Sequence, residues 1–206
     1  MTDTEFDQAL VTAAFGLGAE AGWRKVSPAA AAVRAGLDLA QARARFGACG
    51  GILRKFGALA DEYALTGALA EGSVRDRLFD TLLRRFDFLQ LHRAGVVALL
   101  KFLPADPGLA VCLAHATVES MGWLLEAAGV SSTGLRGEMR KRGLALVWGY
   151  GVRAWVRDES ADLAATMAAV DQALTQADAL AARFSGAPRV MAATDLPSPE
   201  APSGVA

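Results

Sequence analysis

Apolar residues recur at helical spacing along almost the whole chain, and nowhere do they alternate as strands require. Phe6, Leu10, Ala14 and Leu17 form one stripe and predict a first helix over 6–22, stopped by Gly22. Ser27 and Pro28 then open a short helix, because Ser is a good N-cap and Pro fits the first turn. Residues 29–35 are strong helix formers, and Gly36 supplies the left-handed residue that ends the run. Leu37 plugs the corner, and Asp38 caps a second short helix over 39–46. Two short helices at a tight glycine turn predict a helix-turn-helix, whose second helix suits a DNA major groove.

After a glycine-rich break at 47–51, the pattern continues as helices. Ile52, Phe56, Leu59 and Tyr63 predict a connecting helix to about residue 69. Ser73 caps the next, over 74–92, with Leu78, Phe79, Leu82, Leu83, Phe86 and Leu89 on a wide apolar face. A short helix over 96–103 leads to a corner at Pro104 and Pro107, and a long helix follows over 108–128, with Gly129 as its C-cap. The helix from Ser131 to 157 carries Leu144, Val147, Trp148, Gly151 and Trp155 on one stripe, with Leu146, Tyr150 and Arg153 on another side. Leu163, Met167, Val170, Leu174 and Ala177 mark a last helix to 183. The expected fold class is all-α, with a helix-turn-helix head at 1–50 and a helical body at 51–184. The tail at 185–206, rich in Pro, Ala, Ser and Gly, is expected to be disordered.

Composition sharpens this picture. The chain has 206 residues, 53% of them hydrophobic and 21% charged, and its mean hydropathy is +0.27. So apolar a composition predicts a large core, a greasy pocket, a greasy interface, or several of these. The formal net charge of −1 supplies no global field, so any DNA contact must come from a local patch. That patch is Arg24, Lys25, Arg34, Arg43, Arg45, Arg54 and Lys55 around the helix-turn-helix. Gln41, Arg43 and Arg45 on the recognition helix are the candidates for base or phosphate contact. Two cysteines, Cys49 and Cys112, argue against a disulfide framework and for a reducing, cytoplasmic setting. The apolar region 94–118 is interrupted by Lys101, Pro104 and Pro107, short of the roughly twenty residues a membrane span needs.

Little in the chain suggests catalysis. Cys112, His115 and Glu119 share one helix face, but no second ligand motif accompanies them, and no metal or cofactor is expected. No phosphate-binding loop or nucleophile elbow occurs, so the chain is not expected to be an enzyme. The last two long helices, with small residues between large ones, suit close packing. They read either as a dimer bundle through Leu144, Gly151, Trp155, Met167, Val170 and Leu174, or as internal core.

Two resemblances follow from these residues. Gly22-Trp23, Ser27, Ala35-Gly36-Leu37, Asp38 and Phe46 resemble the DNA-binding head of the TetR family of one-component regulators. That resemblance implies a homodimer on a double-stranded DNA operator, with Ser27 and Asp38 counted among the DNA-facing residues, and an effector pocket in the body. Ala40-Gln41-Ala42-Arg43 stands where the family usually has Gly-Thr-Leu-Tyr, and Cys49 stands at its frequent phosphate-binding Lys. In the second half, Ala128-Gly129, Ser132-Thr133, Lys141-Arg142, Asp158, Ser160 and Thr166 resemble the lipid-binding accessory family of ubiquinone biosynthesis, a TetR-like fold. Gly137-Glu138 replaces the aromatic pair by which that family meets its hydroxylase. Both resemblances imply a chamber for a small apolar or lipid-like ligand. Its expected lining is Phe79, Leu82, Phe86, Met121, Trp123, Leu125, Trp148 and Tyr150.

Overall fold

The computed structural model describes residues 1–47 and 50–184, with side-chain burial through Ala181. The tail at 185–206 and the pair Ala48-Cys49 lie outside the described residues. Among the described residues there are nine α-helices, two single-turn 3-10 segments and no strand.

The head is α1 (Asp3–Ala21), α2 (Pro28–Ala35) and α3 (Leu39–Phe46). Helix α1 starts three residues before the apolar stripe does, because Thr2 and Glu5 cap it reciprocally: the Glu5 amide donates to Thr2 Oγ1 at 3.2 Å and the Thr2 amide to Glu5 Oε2 at 2.6 Å. Ser27 Oγ accepts from the Ala30 amide at 3.1 Å, and Asp38 Oδ1 from the Gln41 amide at 2.7 Å. Between them Gly36 adopts φ 65°, ψ 29°, and the Leu37 amide donates back to the Ala32 carbonyl at 2.9 Å. This closes the turn that aims α3 away from α2.

The body is α4 (Gly51–Leu65), α5 (Val74–Leu91), α6 (Arg93–Phe102), α7 (Pro107–Ala127), α8 (Gly134–Trp155) and α9 (Ala164–Phe184). Helix α4 packs on α5 and α7, α7 on α8, and α8 along α9. The α8–α9 corner is closed by Asp158. Its Oδ2 accepts from the Thr166 amide at 2.7 Å and hydroxyl at 2.8 Å, and its Oδ1 from the Ser160 amide at 3.1 Å and hydroxyl. The Ser160 and Thr166 hydroxyls hold the Asp158 carboxyl well below the usual carboxylate range. Helix α7 corrects one expectation. Pro104 lies before this helix and Pro107 is its first residue, so neither interrupts it, and it is long and apolar enough by length and composition to cross a membrane. In this fold it packs on α4 and α8 and buries Met121, Leu124 and Leu125.

Head and body share one hydrophobic cluster. The seam is α1 against α6. Trp23 Nε1 donates to the Gly95 carbonyl at 2.9 Å, and Phe15 lies 5.0 Å from Trp23 and 4.0 Å from Phe56, ring centre to ring centre. A Cβ on Gly95 would stand 2.4 Å from the Phe15 carbonyl oxygen, so only glycine permits this approach. His92 sits at the same seam among Phe15, Phe56 and Phe88, at 5.7, 5.5 and 5.3 Å. Burial lowers its pKa below the ordinary 6.5. The unfolded chain therefore takes up a proton first as pH falls. Stability from neutral His92 is complete above 6.5 and declines as pH drops below it toward the folded value. The thermal midpoint is expected to fall between about pH 7 and about pH 5, and His92→Phe to flatten that slope. A melting series in matched buffers checks this, and an unchanged slope in the variant would count against it.

Candidate nucleic-acid interface and body cavity

Helix α3 buries Ala42 and Phe46 in the head and turns Leu39, Ala40, Arg43 and Ala44 outward. Gln41 is half-buried. Arg43 is exposed and its Nη1 makes a long bond of 3.3 Å to the Gly47 carbonyl at the helix end. Arg45, expected to reach DNA, is engaged instead with carboxylates of the head itself. Its Nε and Nη2 donate to the two carboxyl oxygens of Asp7 at 2.6 and 2.7 Å, and its Nη1 lies 2.7 Å from Asp3. Lys55 Nζ meets the same Asp7 at 2.5 Å. The Asp7 side chain is 2% exposed. Burial pushes its carboxyl up, but bonds and charges from Arg45 and Lys55 outweigh that and hold it below its ordinary value. A carboxylate so buried needs cations, and α3 supplies one. The sequence signal was there: Asp3 and Asp7, one turn apart, place two carboxylates on the start of α1.

The remaining cluster residues sort themselves by geometry. Ser27 and Asp38 use their side-chain oxygens as helix caps, as above. Arg34 is paired with Glu20 through two bonds of 2.7 and 2.6 Å. The Arg24 guanidinium lies 5.9 Å from the centre of the Phe102 ring, and Lys25 is exposed. Arg34 and Arg45 are exposed but paired with carboxylates, and Arg24, Lys25, Arg43 and Arg54 are the other exposed cations of the cluster.

The expected pocket lining is largely corrected too. Leu82, Phe86, Met121 and Leu125 are buried core, and Phe79 packs on that core. Trp123 and Tyr150 face outward, 66% and 51% exposed. Trp148 alone of the eight lines the body cavity. That cavity measures about 90 Å³ and is walled by Leu53, Phe56 and Gly57 of α4, Arg85 and Leu89 of α5, Val96, Leu99 and Leu100 of α6, Leu113, Ala116 and Thr117 of α7, and Trp148 and Val152 of α8. A wider open groove of about 910 Å³ lies between the underside of α2–α3 and the body, bordered by Trp23, Leu39, Arg43, Phe46, Phe102 and Leu109 among others.

Arg85 is the group that sequence reasoning missed. It follows Leu82 by three and precedes Leu89 by four, so it falls on the buried stripe of α5. Its Nη1 donates to Asp61 Oδ1 and Ser120 Oγ, and Ser120 Oγ donates to Asp61 at 2.6 Å. The Trp148 ring covers the guanidinium at 4.8 Å, and Phe86 stacks on Trp148 at 4.4 Å. Burial pushes the Asp61 carboxyl up and the Arg85 guanidinium down, both toward their neutral forms. Among the described residues no group of three or more His, Cys, Asp or Glu comes together to hold a metal ion.

The dimer residues named above resolve to the second of their two readings. Leu144, Trp155, Val170 and Leu174 are buried within the protomer, and Met167 is half-buried. A Cβ on Gly151 would meet Phe86 and Val170 at 2.9 Å. These positions join α8 to α5 and α9. The other side of α8 carries Leu135, Met139, Leu146 and Tyr150, which are 82%, 67%, 77% and 51% exposed. At Gly137, a Cβ would stand 2.1 Å from the Ser132 carbonyl carbon, and Glu138 pairs with Lys141 at 2.6 Å. Position 137 has no room for an aromatic ring of the accessory-family kind.

No known family pattern matches this chain, and no curated protein sequence does. Among solved structures it is similar to the TetR transcriptional regulator from Nitrosomonas europaea, at TM-score 0.64 and 19% identity over 84% of this chain and 97% of that one. It is also similar to a protein from a Rhodococcus species assigned to the TetR-family transcriptional regulators, at TM-score 0.55 and 20% identity over 82% of this chain and 99% of that one. The all-α architecture, a helix-turn-helix head on a six-helix body, is the TetR regulator fold.

Proposed function

We propose that the protein is a homodimeric one-component transcriptional regulator that binds a double-stranded DNA operator through α2 and α3 and senses a small molecule in its body. One observation carries this reading: α4 touches both ends of the device. At its start Lys55 meets the Asp7–Arg45 pair that fixes α3 on α1. On either side of Lys55, Leu53, Phe56 and Gly57 wall the body cavity, and further along Asp61 holds Arg85. An occupant that displaces α4 changes the footing of α3. In a pair, that alters the spacing of two recognition helices that must meet half-sites about 34–36 Å apart.

The pairing surface of this reading is the exposed stripe of α8, where Leu135, Met139, Leu146 and Tyr150 present apolar area that a lone soluble chain would keep covered. Leu146→Asp is expected to convert dimer to monomer in light scattering, whereas Leu144→Ala, inside the protomer, is expected to lower stability and leave the mass unchanged. The DNA test is pull-down sequencing of genomic fragments on the purified protein. Enrichment of an inverted repeat supports the reading, and no sequence-selective enrichment removes it. Arg43→Ala is expected to weaken DNA binding and reduce the salt slope by about 1. Arg45→Ala is expected to act instead through the head, lowering the melting temperature because Asp7 loses its main partner.

A further inference from the structure

We propose that the body cavity takes a short-chain carboxylate, held side-on by Nε and Nη2 of Arg85. This rests on the reading of that cavity as the effector site. The cavity volume of about 90 Å³ is several times the roughly 10–15 Å³ that one water needs, which suits a carboxylate group with a few carbons behind it. Its walls are apolar apart from Arg85 and Thr117, and the Thr117 hydroxyl is already committed to the Leu113 carbonyl at 2.8 Å. The polar anchor is therefore Arg85 alone, on a side chain only 6% exposed.

The guanidinium is half used. Nη1 serves Asp61 and Ser120, while Nε is buried with no hydrogen-bond partner among the described residues. Nη2 points to the bare stretch of α4 at Gly57, lying 4.0 Å from where a Cβ on that glycine would stand. Nε and Nη2 share one edge of the planar group, and their two parallel N–H vectors match the two oxygens of a carboxylate. Trp148 covers one face of the guanidinium, which leaves the in-plane edge as the approach. Ser120 donates to Asp61, so part of the Asp61 charge is met without Arg85. A carboxylate completes the pairing of a buried donor that otherwise has no acceptor. An amide of the same length offers one weaker acceptor, and an amine offers a repelled cation. The aliphatic tail would lie among Leu53, Leu89, Leu99 and Leu113.

The test uses the full chain without DNA. Sodium butyrate, butyramide and n-butylamine are titrated at constant ionic strength, followed by calorimetry and thermal shift. The expected result is saturable binding of butyrate at least tenfold tighter than butyramide, and none of the amine. Arg85→Lys keeps a charge but loses the fork, and should weaken butyrate at least tenfold. Because Arg85 is also a core group, a second variant keeps the pair intact: Ala116→Leu fills the cavity and should abolish butyrate binding while the protein still melts cooperatively. No butyrate binding by the wild type, equal affinity for butyramide, or full binding by Ala116→Leu would each overturn the assignment. The readout involves no DNA. A failure here leaves the operator result standing, and a failed pull-down leaves the carboxylate result standing.

Discussion

Asp61→Ala is expected to destabilise the protein by about 3–5 kcal/mol, measured by urea unfolding, because it strands a buried guanidinium. The Arg85 and Asp61 side chains are 6% and 11% exposed, and Nη1 of Arg85 is shared between Asp61 and Ser120. Burial presses each partner toward neutrality, so each is tolerable as an ion mainly through the other. The revealing comparison is the double variant Asp61→Leu with Arg85→Met. It removes both charges and refills the volume, and it should recover most of the loss, since apolar replacement of a whole buried pair is often neutral or better. A double variant as unstable as the sum of the two singles would show that the pair is not coupled.

Gly95→Ala is expected to destabilise the protein by about 1–3 kcal/mol or more, the range for forcing atoms into a full space. The obstacle is the Phe15 carbonyl, 2.4 Å from the new Cβ, with the Phe15 carbonyl carbon at 2.9 Å. That is backbone inside a helix and cannot swing aside as a side chain can. Separation of α1 from α6 would also stretch the bond from Trp23 to the Gly95 carbonyl, so indole fluorescence should shift with the loss of stability. Gly143→Ala is the control. A Cβ there meets nothing within 4 Å, and mid-helix alanine should stabilise by up to about 1 kcal/mol. Equal melting temperatures for Gly95→Ala and wild type would refute the tight seam.

What the sequence revealed, and what it hid, follows from the range of the forces. Ser27, Gly36, Asp38 and Ser73 act within four residues of themselves, and each is found at the helix end where its chemistry placed it. The pairing of Arg45 is not legible in the sequence because its partners Asp3 and Asp7 lie at the far end of the head, and helical spacing says nothing about which way α3 crosses α1. In α8 both stripes are apolar, one with Leu144, Trp148 and Trp155, the other with Leu135, Met139 and Leu146. Only the neighbours α5, α7 and α9 decide which side turns inward. Large apolar residues are a poor marker of the pocket, because Phe86 and Met121 are wholly buried in the core. The better marker is a charged residue on a buried stripe: Leu78, Leu82, Arg85 and Leu89 recur at helical steps, and the exception among them keeps a buried Nε with bonding capacity left over.

The contact between α1 and α6 has a mechanical consequence. With Trp23 tied to the Gly95 carbonyl and backbone touching backbone beside Phe15, the head has no swivel of its own. It is a foot welded to a leg, so a few degrees of lean in the trunk appear undiminished at its toe. Gain in such a lever comes from stiffness, and in the proposed regulator a softened weld would blunt the response to an effector before it weakened the grip on DNA.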